Sequence, residues 1–369
     1  MKKMIKLSLV AAVAVAGLTT TSSAANLTDA VKNTQLNGYV RYRLHADHEG
    51  TQGDTTEETK AVMKFTSKVN NAVKANVKLV SNAVTKSGQT SADTAVTEGN
   101  FVISAAGATV IAGLQTSQSP FFANNGDTRS HGVTVIKPLN KSLTLAGAYY
   151  TTTVGGGLTT LNAADSKAFT NNVTALAAIG KVSSVNYALW YASVEDGADV
   201  TDETTLSTGL VDASATSIEL NTKIAGVNVQ LMNTVVTNAD VDTGLTKLVA
   251  SGKAGKVSYV AAYAATEKDG GMVTLDQDDD AKSDLAMGNH AMSQLADTTG
   301  ILLGASMPVG PVTVSVNHLM VDNDTLDGSE TDVKVAYKMS KNFGGYVRIA
   351  QDGGDLTSDN TRIEVKYTF

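Results

Sequence analysis

Along most of the chain, apolar and polar residues alternate one by one. In Thr361-Arg-Ile-Glu-Val-Lys-Tyr-Thr-Phe369, the residues Ile363, Val365, Tyr367 and Phe369 fall on one side and Arg362, Glu364, Lys366 and Thr368 on the other. A period of two is that of a β-strand with one apolar and one polar face. The same pattern sets Gly38, Val40, Tyr42 and Leu44 against Tyr39, Arg41, Arg43 and His45. It continues in 60–69, where Ala61, Met63 and Phe65 oppose Lys60, Lys64, Thr66 and Lys68. After a tight Asn70-Asn71 turn, Val73, Ala75, Val77 and Leu79 face away from Lys74, Asn76 and Lys78. Further segments of this kind lie at 96–105, 108–117, 129–137, 143–153, 169–180, 184–194, 213–224, 227–237, 244–253, 257–267, 299–307, 312–321, 331–339 and 343–351. The total is about eighteen, an even number as in bacterial single-chain membrane barrels. Each runs to about 9–12 residues, enough for a tilted strand to cross a bilayer.

The connections carry a second regularity. Every other one is short: Asn70-Asn71, Ala106-Gly107, 139–142, 181–183, Gly226, 254–256, 308–311 and 340–342. Those between are mostly longer and polar: 49–59, 85–95, 120–128, 154–168, 195–212, 268–298, 322–330 and 352–360, with 238–243 the modest exception. Short periplasmic turns alternating with long outer loops is the rule of a transmembrane barrel, and a β-sandwich or β-helix predicts no such parity. The expected fold is therefore all-β, a transmembrane antiparallel barrel over 36–369. An amphipathic terminal strand ending in Phe369 fits this fold, because pairing the last strand with the first leaves no open edge in lipid.

Ahead of the barrel, 1–24 reads as a signal peptide: Lys2, Lys3 and Lys6, an apolar run from Leu7 to Leu18, then small residues at 22–25. The apolar run is shorter than the ~20 residues of a spanning helix. A short periplasmic segment, 25–35, follows, in which 26–33 can form one helical stretch capped by Asn26 or Thr28. The chain has no cysteine, 32 glycines and 4 prolines, which suits strands joined by turns without disulfides. Its formal charge of −7 becomes about −10 without the three leader lysines, which argues against a nucleic-acid partner. Aromatic residues make up only 5%, few for full aromatic girdles.

Charge then gives the inside of the barrel its character. Arg41, Arg43, Lys60, Lys64, Lys68, Lys74 and Lys78 occupy the polar faces of the first three strands; Lys334, Lys338, Arg348, Arg362 and Lys366 occupy those of the last three. A cation facing lipid near the midplane costs about 2–4 kcal/mol, so these twelve are assigned to the lumen. Closure makes them one basic wall. The middle strands place Asn, Thr, Ser and small residues inward, with Glu98 and Glu219 as exceptions. His45 and His48 fall on opposite faces of a strand and make no metal site. No nucleophile elbow or Ser-His-Asp constellation is present, and no enzyme or cofactor is expected. Asp276, Asp278, Asp279 and Asp280, with Asp284, are dense enough to attract Ca²⁺ but lack EF-hand spacing, and the loop 268–298 reads first as a solvated, flexible surface loop.

Several anchors resemble the campylobacterial major outer membrane protein porins: 27–32 leading into Leu36-Asn-Gly-Tyr-Val-Arg-Tyr-Arg43, Ala112-Gly-Leu-Gln115 with Gly132-Val-Thr-Val135, Ala188-Leu-Trp-Tyr-Ala192, and the Lys366-Tyr-Thr-Phe369 ending. The stretch 196–297 carries no such anchor. The resemblance implies an eighteen-stranded, trimeric, general-diffusion channel in the bacterial outer membrane, surrounded by lipid and lipopolysaccharide. It also implies that the third outer loop folds into the lumen, making Pro120, Phe121, Phe122, Asn124, Asn125 and Asp127 the constriction candidates; here that loop is short, with Asp127 its one acid. Tyr367 and Phe369 are then the signal read by the barrel-assembly machinery. A porin for ions and small hydrophilic solutes is the function expected; a surface-exposed structural or adhesive barrel is the rival.

Overall fold

The computed structural model describes residues 33–48, 55–86, 89–116, 119–122, 129–154, 172–195, 213–238, 241–275, 282, 284–285, 287 and 289–369. The expected leader and, apart from Asn33, the short helix after it lie outside these residues. Eighteen antiparallel strands follow one another: β1 (Thr34–Asp47), β2 (Thr55–Lys68), β3 (Val73–Lys86), β4 (Gln89–Ala105), β5 (Ala108–Thr116), β6 (Arg129–Asn140), β7 (Leu143–Val154), β8 (Asn172–Val182) and β9 (Val185–Glu195). The second half comprises β10 (Ser214–Ile224), β11 (Val227–Asn238), β12 (Val241–Ala254), β13 (Val257–Thr266), β14 (Thr299–Val309), β15 (Val312–Asn323), β16 (Leu326–Lys338), β17 (Phe343–Gly354) and β18 (Asn360–Thr368). Each pairs with its neighbours in sequence, and β1 pairs with both β2 and β18, so the eighteen-stranded sheet closes on itself. No described helix is long and apolar enough to cross a membrane.

Closure is built by backbone bonds at the seam. Arg41 lies opposite Lys366, Arg43 opposite Glu364, and Gly38 exchanges two 3.0 Å hydrogen bonds with Phe369, its N–H donating to the Phe369 carbonyl and the reverse. The packing is inside out. Leu36, Val40, Tyr42, Phe101, Leu176, Leu189, Tyr191, Leu248, Leu303, Val347 and Ile363 are exposed, whereas Glu98, Asn100, Lys247, Asp332 and Arg348 are buried. Alternation puts the first set on the lipid face and the second in the lumen.

Turns at one end are tight because their backbone suits a two-residue hairpin. Between β10 and β11, Ala225 and Gly226 have φ of 48° and 89°, the doubly left-handed geometry whose twist matches that of the flanking strands. At the other end the strands run further than the alternation predicts. The polar stretch 85–95, expected as a loop, is mostly strand: Thr85 pairs with Thr90 and Lys86 with Gln89. Likewise 55–59 belongs to β2, and the connections after β11 and β15 shrink to two residues. Here the barrel rises past the lipid into water, both faces are polar, and the hydrophobic period disappears while the hydrogen-bond ladder continues. A register shift at Lys78/Leu79 between β3 and β4 marks that change.

Gly113 on β5 shows how closely the strands approach. Its φ is 122°, and an added Cβ would sit 2.4 Å from the Gly99 carbonyl oxygen and 3.0 Å from Asn100 Cα. Both contacts are backbone, so relief requires moving the β4–β5 ladder. Gly113→Ala is expected to lower the temperature at which the detergent-solubilised barrel converts from its compact to its unfolded gel form. Unchanged conversion would place Gly113 in a looser part of the wall.

Candidate functional site: the lumen and its constriction

Along β16–β18 and β1–β3, the twelve basic residues of the expected wall alternate with the apolar residues of the opposite face. Register arranges them in rungs that run around the barrel. One joins Lys338, Gly344, Lys366, Arg41 and Lys60; another joins Lys334, Arg348, Arg362 and His45. Between them runs Tyr346, Glu364, Arg43 and Glu58. The wall is thus not purely basic, which corrects the expectation from strand faces alone. An Arg41 amino group reaches both Glu58 oxygens at 2.8 Å, and Arg43 sits 2.8 Å from Glu364 and 3.6 Å from Glu58. Glu98 takes Lys64 at 2.8 Å and Lys78 at 3.6 Å, and Arg348 lies 3.3 Å from Asp332. Lys366 stacks 4.1 Å over the Tyr39 ring and Lys334 4.4 Å over Tyr346, so cations also rest on aromatic faces. Glu58 escaped the sequence reading because it stood in a polar run taken as loop; pairing it needed the register.

The opposite wall is of another kind. Ala175, Ala192, Ala215, Ala262 and Ala264 point inward from β8, β9, β10 and β13. The space they leave is filled by two loops. Phe121, from the connection between β5 and β6, is 0% exposed and packs with these alanines, Val236, Leu245, Leu302 and Leu319. Pro120 is buried as well, and Phe122 packs against Tyr150, Val173, Val194 and Ala213, its ring edge-on to Tyr150 at 6.2 Å. Of the constriction candidates, Pro120, Phe121 and Phe122 are buried, and Asn124, Asn125 and Asp127 lie outside the described residues.

The second loop, between β13 and β14, overturns the expectation of a solvated surface excursion. Val273, Leu285 and Met292 join the Phe121 cluster, and Leu275 N–H donates to the Phe121 carbonyl at 2.7 Å. Polar groups clamp it from below. Lys247 Nζ donates to the carbonyls of Lys282 and Asp284 at 2.9 and 2.6 Å, while Lys282 Nζ meets Glu219 at 2.6 Å. Burial pushes the Asp284 carboxyl above the usual carboxylate range, against two hydrogen bonds from Ser293 that draw it down. The apolar residues interleaved with the acids account for the inward path: leaving Val273, Leu285 and Met292 in water would forfeit about 1.5–3 kcal/mol each. Asp276, Asp278, Asp279 and Asp280, the weak calcium candidates, lie outside the described residues.

Two cavities remain unfilled in the lumen. One cavity of 420 Å³ is lined by Lys64, Glu98, Asn100, Gln115, Tyr150 and Trp190; another of 540 Å³, toward the short turns, is lined by Lys181, Asn186, Asn221, Lys223 and Gln230. His45 bonds Asp47 at 2.6 Å, and His48 bonds Thr361 at 3.0 Å.

A closed eighteen-stranded barrel, apolar outside, charged within and narrowed by inward loops, defines an outer-membrane channel of the porin class. The chain belongs to the Campylobacter major outer membrane protein family, which it matches over residues 1–347. It is a porin of the bacterial outer membrane, set among that membrane's lipid and lipopolysaccharide. No curated protein matches it. Its fold is similar to that of Pseudomonas aeruginosa OccK5 (OpdH), with TM-score 0.69 and 13% identity over 92% of this chain and 98% of that one. It is similar also to P. aeruginosa OpdQ, at 0.68 and 14% over 91% and 98%. The structure of P. aeruginosa OccK2 (OpdF) in complex with glucuronate aligns at 0.68 and 11%, over 92% and 98%.

Phe121 is the most telling residue to remove. Phe121→Ala deletes a fully buried ring, a change that costs about 3–5 kcal/mol in a packed core, here borne by the loop rather than by the strands. Single-channel conductance in planar bilayers is expected to rise while the compact gel form persists. Unchanged conductance would mean that Phe121 does not hold the narrowest point.

Proposed function

We propose that the channel sorts ions and small hydrophilic solutes by charge as they diffuse passively between the basic rungs and the packed loops. The observation that supports this most is the asymmetry of the lumen, with cations on β16–β18 and β1–β3 facing an apolar, loop-filled wall. A transverse field of this kind orients dipolar solutes, and fixed charge concentrates counter-ions within about 8 Å, the Debye length at physiological salt. No catalytic role is proposed. An adhesive barrel remains the rival reading, and planar-bilayer recording separates the two: a porin gives stable open steps, a plugged barrel gives none.

Ion pairing refines which residues set selectivity. Arg41 and Arg43 have their charge largely balanced by Glu58 and Glu364, whereas Lys366 rests on a ring. Arg41→Ser, Arg43→Ser and Lys366→Ser together are expected to shift the reversal potential in a salt gradient toward cations. Glu58→Gln with Glu364→Gln is expected to shift it toward anions, because each removes a carboxylate and releases its arginine. Both shifts should grow as salt falls. A reversal potential that stays put in open channels of both variants would take these side chains out of the conduction path.

Assembly follows from the seam. Phe369 supplies the last backbone pair of β18 with β1, and Tyr367 and Phe369 stand 6.1 Å apart as a terminal aromatic pair. We assign these two to recognition by the barrel-assembly machinery and the native state to a homotrimer. Deleting Phe369 is expected to leave an exported, protease-sensitive chain. Unheated wild-type protein should migrate as a compact, heat-modifiable trimer. Normal outer-membrane levels of the truncated chain, or migration unaffected by boiling, would contradict these assignments.

A further inference from the structure

We propose that His290, Glu330 and Asp352 form a binding site for a divalent cation of the zinc class, which pins the loop between β13 and β14 to the barrel wall. Glu330 on β16 and Asp352 on β17 are direct register partners, so their carboxylates project from the same face side by side. Like charges opposite one another on a sheet repel, and water does little to relieve it here: Glu330 is 0% exposed and the Asp352 side chain 1%. His290 arrives from the loop, its Nε2 2.6 Å from Asp352 Oδ2. One ligand atom from each of the three lies within 4.8 Å of the others. Ligands around a single zinc ion at ~2.1 Å stand about 3.4 Å apart, so small side-chain rotations bring the set to bonding distance.

A second observation points to a missing partner. Among the described residues, buried Asp352 Oδ1 has no hydrogen-bond donor, although Oδ2 of the same carboxylate accepts from Ser358 N–H at 2.6 Å and contacts His290. Two buried carboxylates held side by side favour a dication between them. The supports are also in place. Glu330 Oε2 accepts the Asn289 and His290 N–H groups at 3.1 and 3.3 Å, and Asp359 accepts the Asp352 N–H at 2.7 Å.

The donor set selects the ion. One imidazole nitrogen with two carboxylates suits Zn²⁺, Co²⁺ or Ni²⁺, whereas Ca²⁺ and Mg²⁺ favour all-oxygen shells. Solvent can supply a fourth ligand, since the His290 side chain is 20% exposed. The same loop carries Met292 and Leu285 into the Phe121 cluster, so a metal bridge at His290 would stiffen the constriction. That role rests on the channel reading; binding itself does not.

The test uses tag-free, detergent-solubilised full-length barrel stripped with chelator and titrated with Co²⁺, followed by visible absorption. One cobalt per chain, with d–d bands displaced by Zn²⁺, is expected for wild type. His290→Ala should weaken binding at least tenfold and Asp352→Asn comparably, while His48→Ala, altering a histidine of the outer rim, should bind as wild type does. The compact gel form certifies folding, and Asp352→Asn, nearly isosteric, carries the test if His290→Ala misfolds. No cobalt bands at millimolar metal, or wild-type titration of both site variants, would overturn the site. Displacement by Ca²⁺ as effective as by Zn²⁺ would overturn the choice of ion. In bilayers, micromolar Zn²⁺ should quieten wild-type current fluctuations and leave His290→Ala unaffected; bound cobalt with unaltered current would refute the clamp alone and leave the channel reading intact.

Discussion

Every backbone N–H and C=O that meets hydrocarbon must find a partner within the protein, and this requirement governs the whole molecule. A sheet satisfies it only by closing, and β1 pairing with both β2 and β18 provides the closure. The alternation of side chains is a consequence. Once both faces of every strand are committed, one to lipid and one to the lumen, the chain can carry Leu, Val and Tyr outward and Lys, Arg and Glu inward with no apolar core of the usual kind. The backbone holds the barrel; the side chains decide what the barrel contains.

What it contains is divided. Around the seam, alternating rungs of cations and carboxylates keep the wall hydrated and locally balanced. On the far side, alanines leave a trough in which Phe121, Leu285 and Met292 assemble a small core that belongs to loops rather than strands. The two halves depend on each other physically. The alanine side offers the loops apolar surface without stripping water from arginines and lysines. The loop between β13 and β14 reaches the charged side through Asn289 and His290, which bond the Glu330 and Asp352 carboxylates. The packed loops thus lie where the inward residues are small.

Much of this is legible in the sequence because lipid imposes a two-residue period over the length of each crossing. That period located all eighteen strands and set Arg41, Lys64, Lys334 and Lys366 on the face opposite the apolar one. It fails where lipid ends: 55–59 and 89–95 are strands without hydrophobic alternation, and their polar residues looked like loop. Pairing is also invisible to it. Nothing local says that Glu58 meets Arg41 across the β1–β2 pair, or that Glu364 meets Arg43, 321 positions apart, across the seam. The inward fold of the loop between β13 and β14 had a signal that was outweighed: Val273, Leu275, Leu285 and Met292 lie among the aspartates that dominate its composition. For Glu330 and Asp352, only the strand alignment places the two carboxylates side by side.

The seam also fixes a time order. Joining Gly38 to Phe369 brings together almost the two ends of the described chain, the most entropically costly loop the fold contains. None of the edge protection that closure provides exists until the final strand has emerged, and contacts of such long range form slowly. For as long as that takes, β1 offers an unsatisfied hydrogen-bonding edge to whatever lies beside it. Until β18 pairs with it, β1 of the nascent barrel is a sheet edge that lipid alone cannot satisfy.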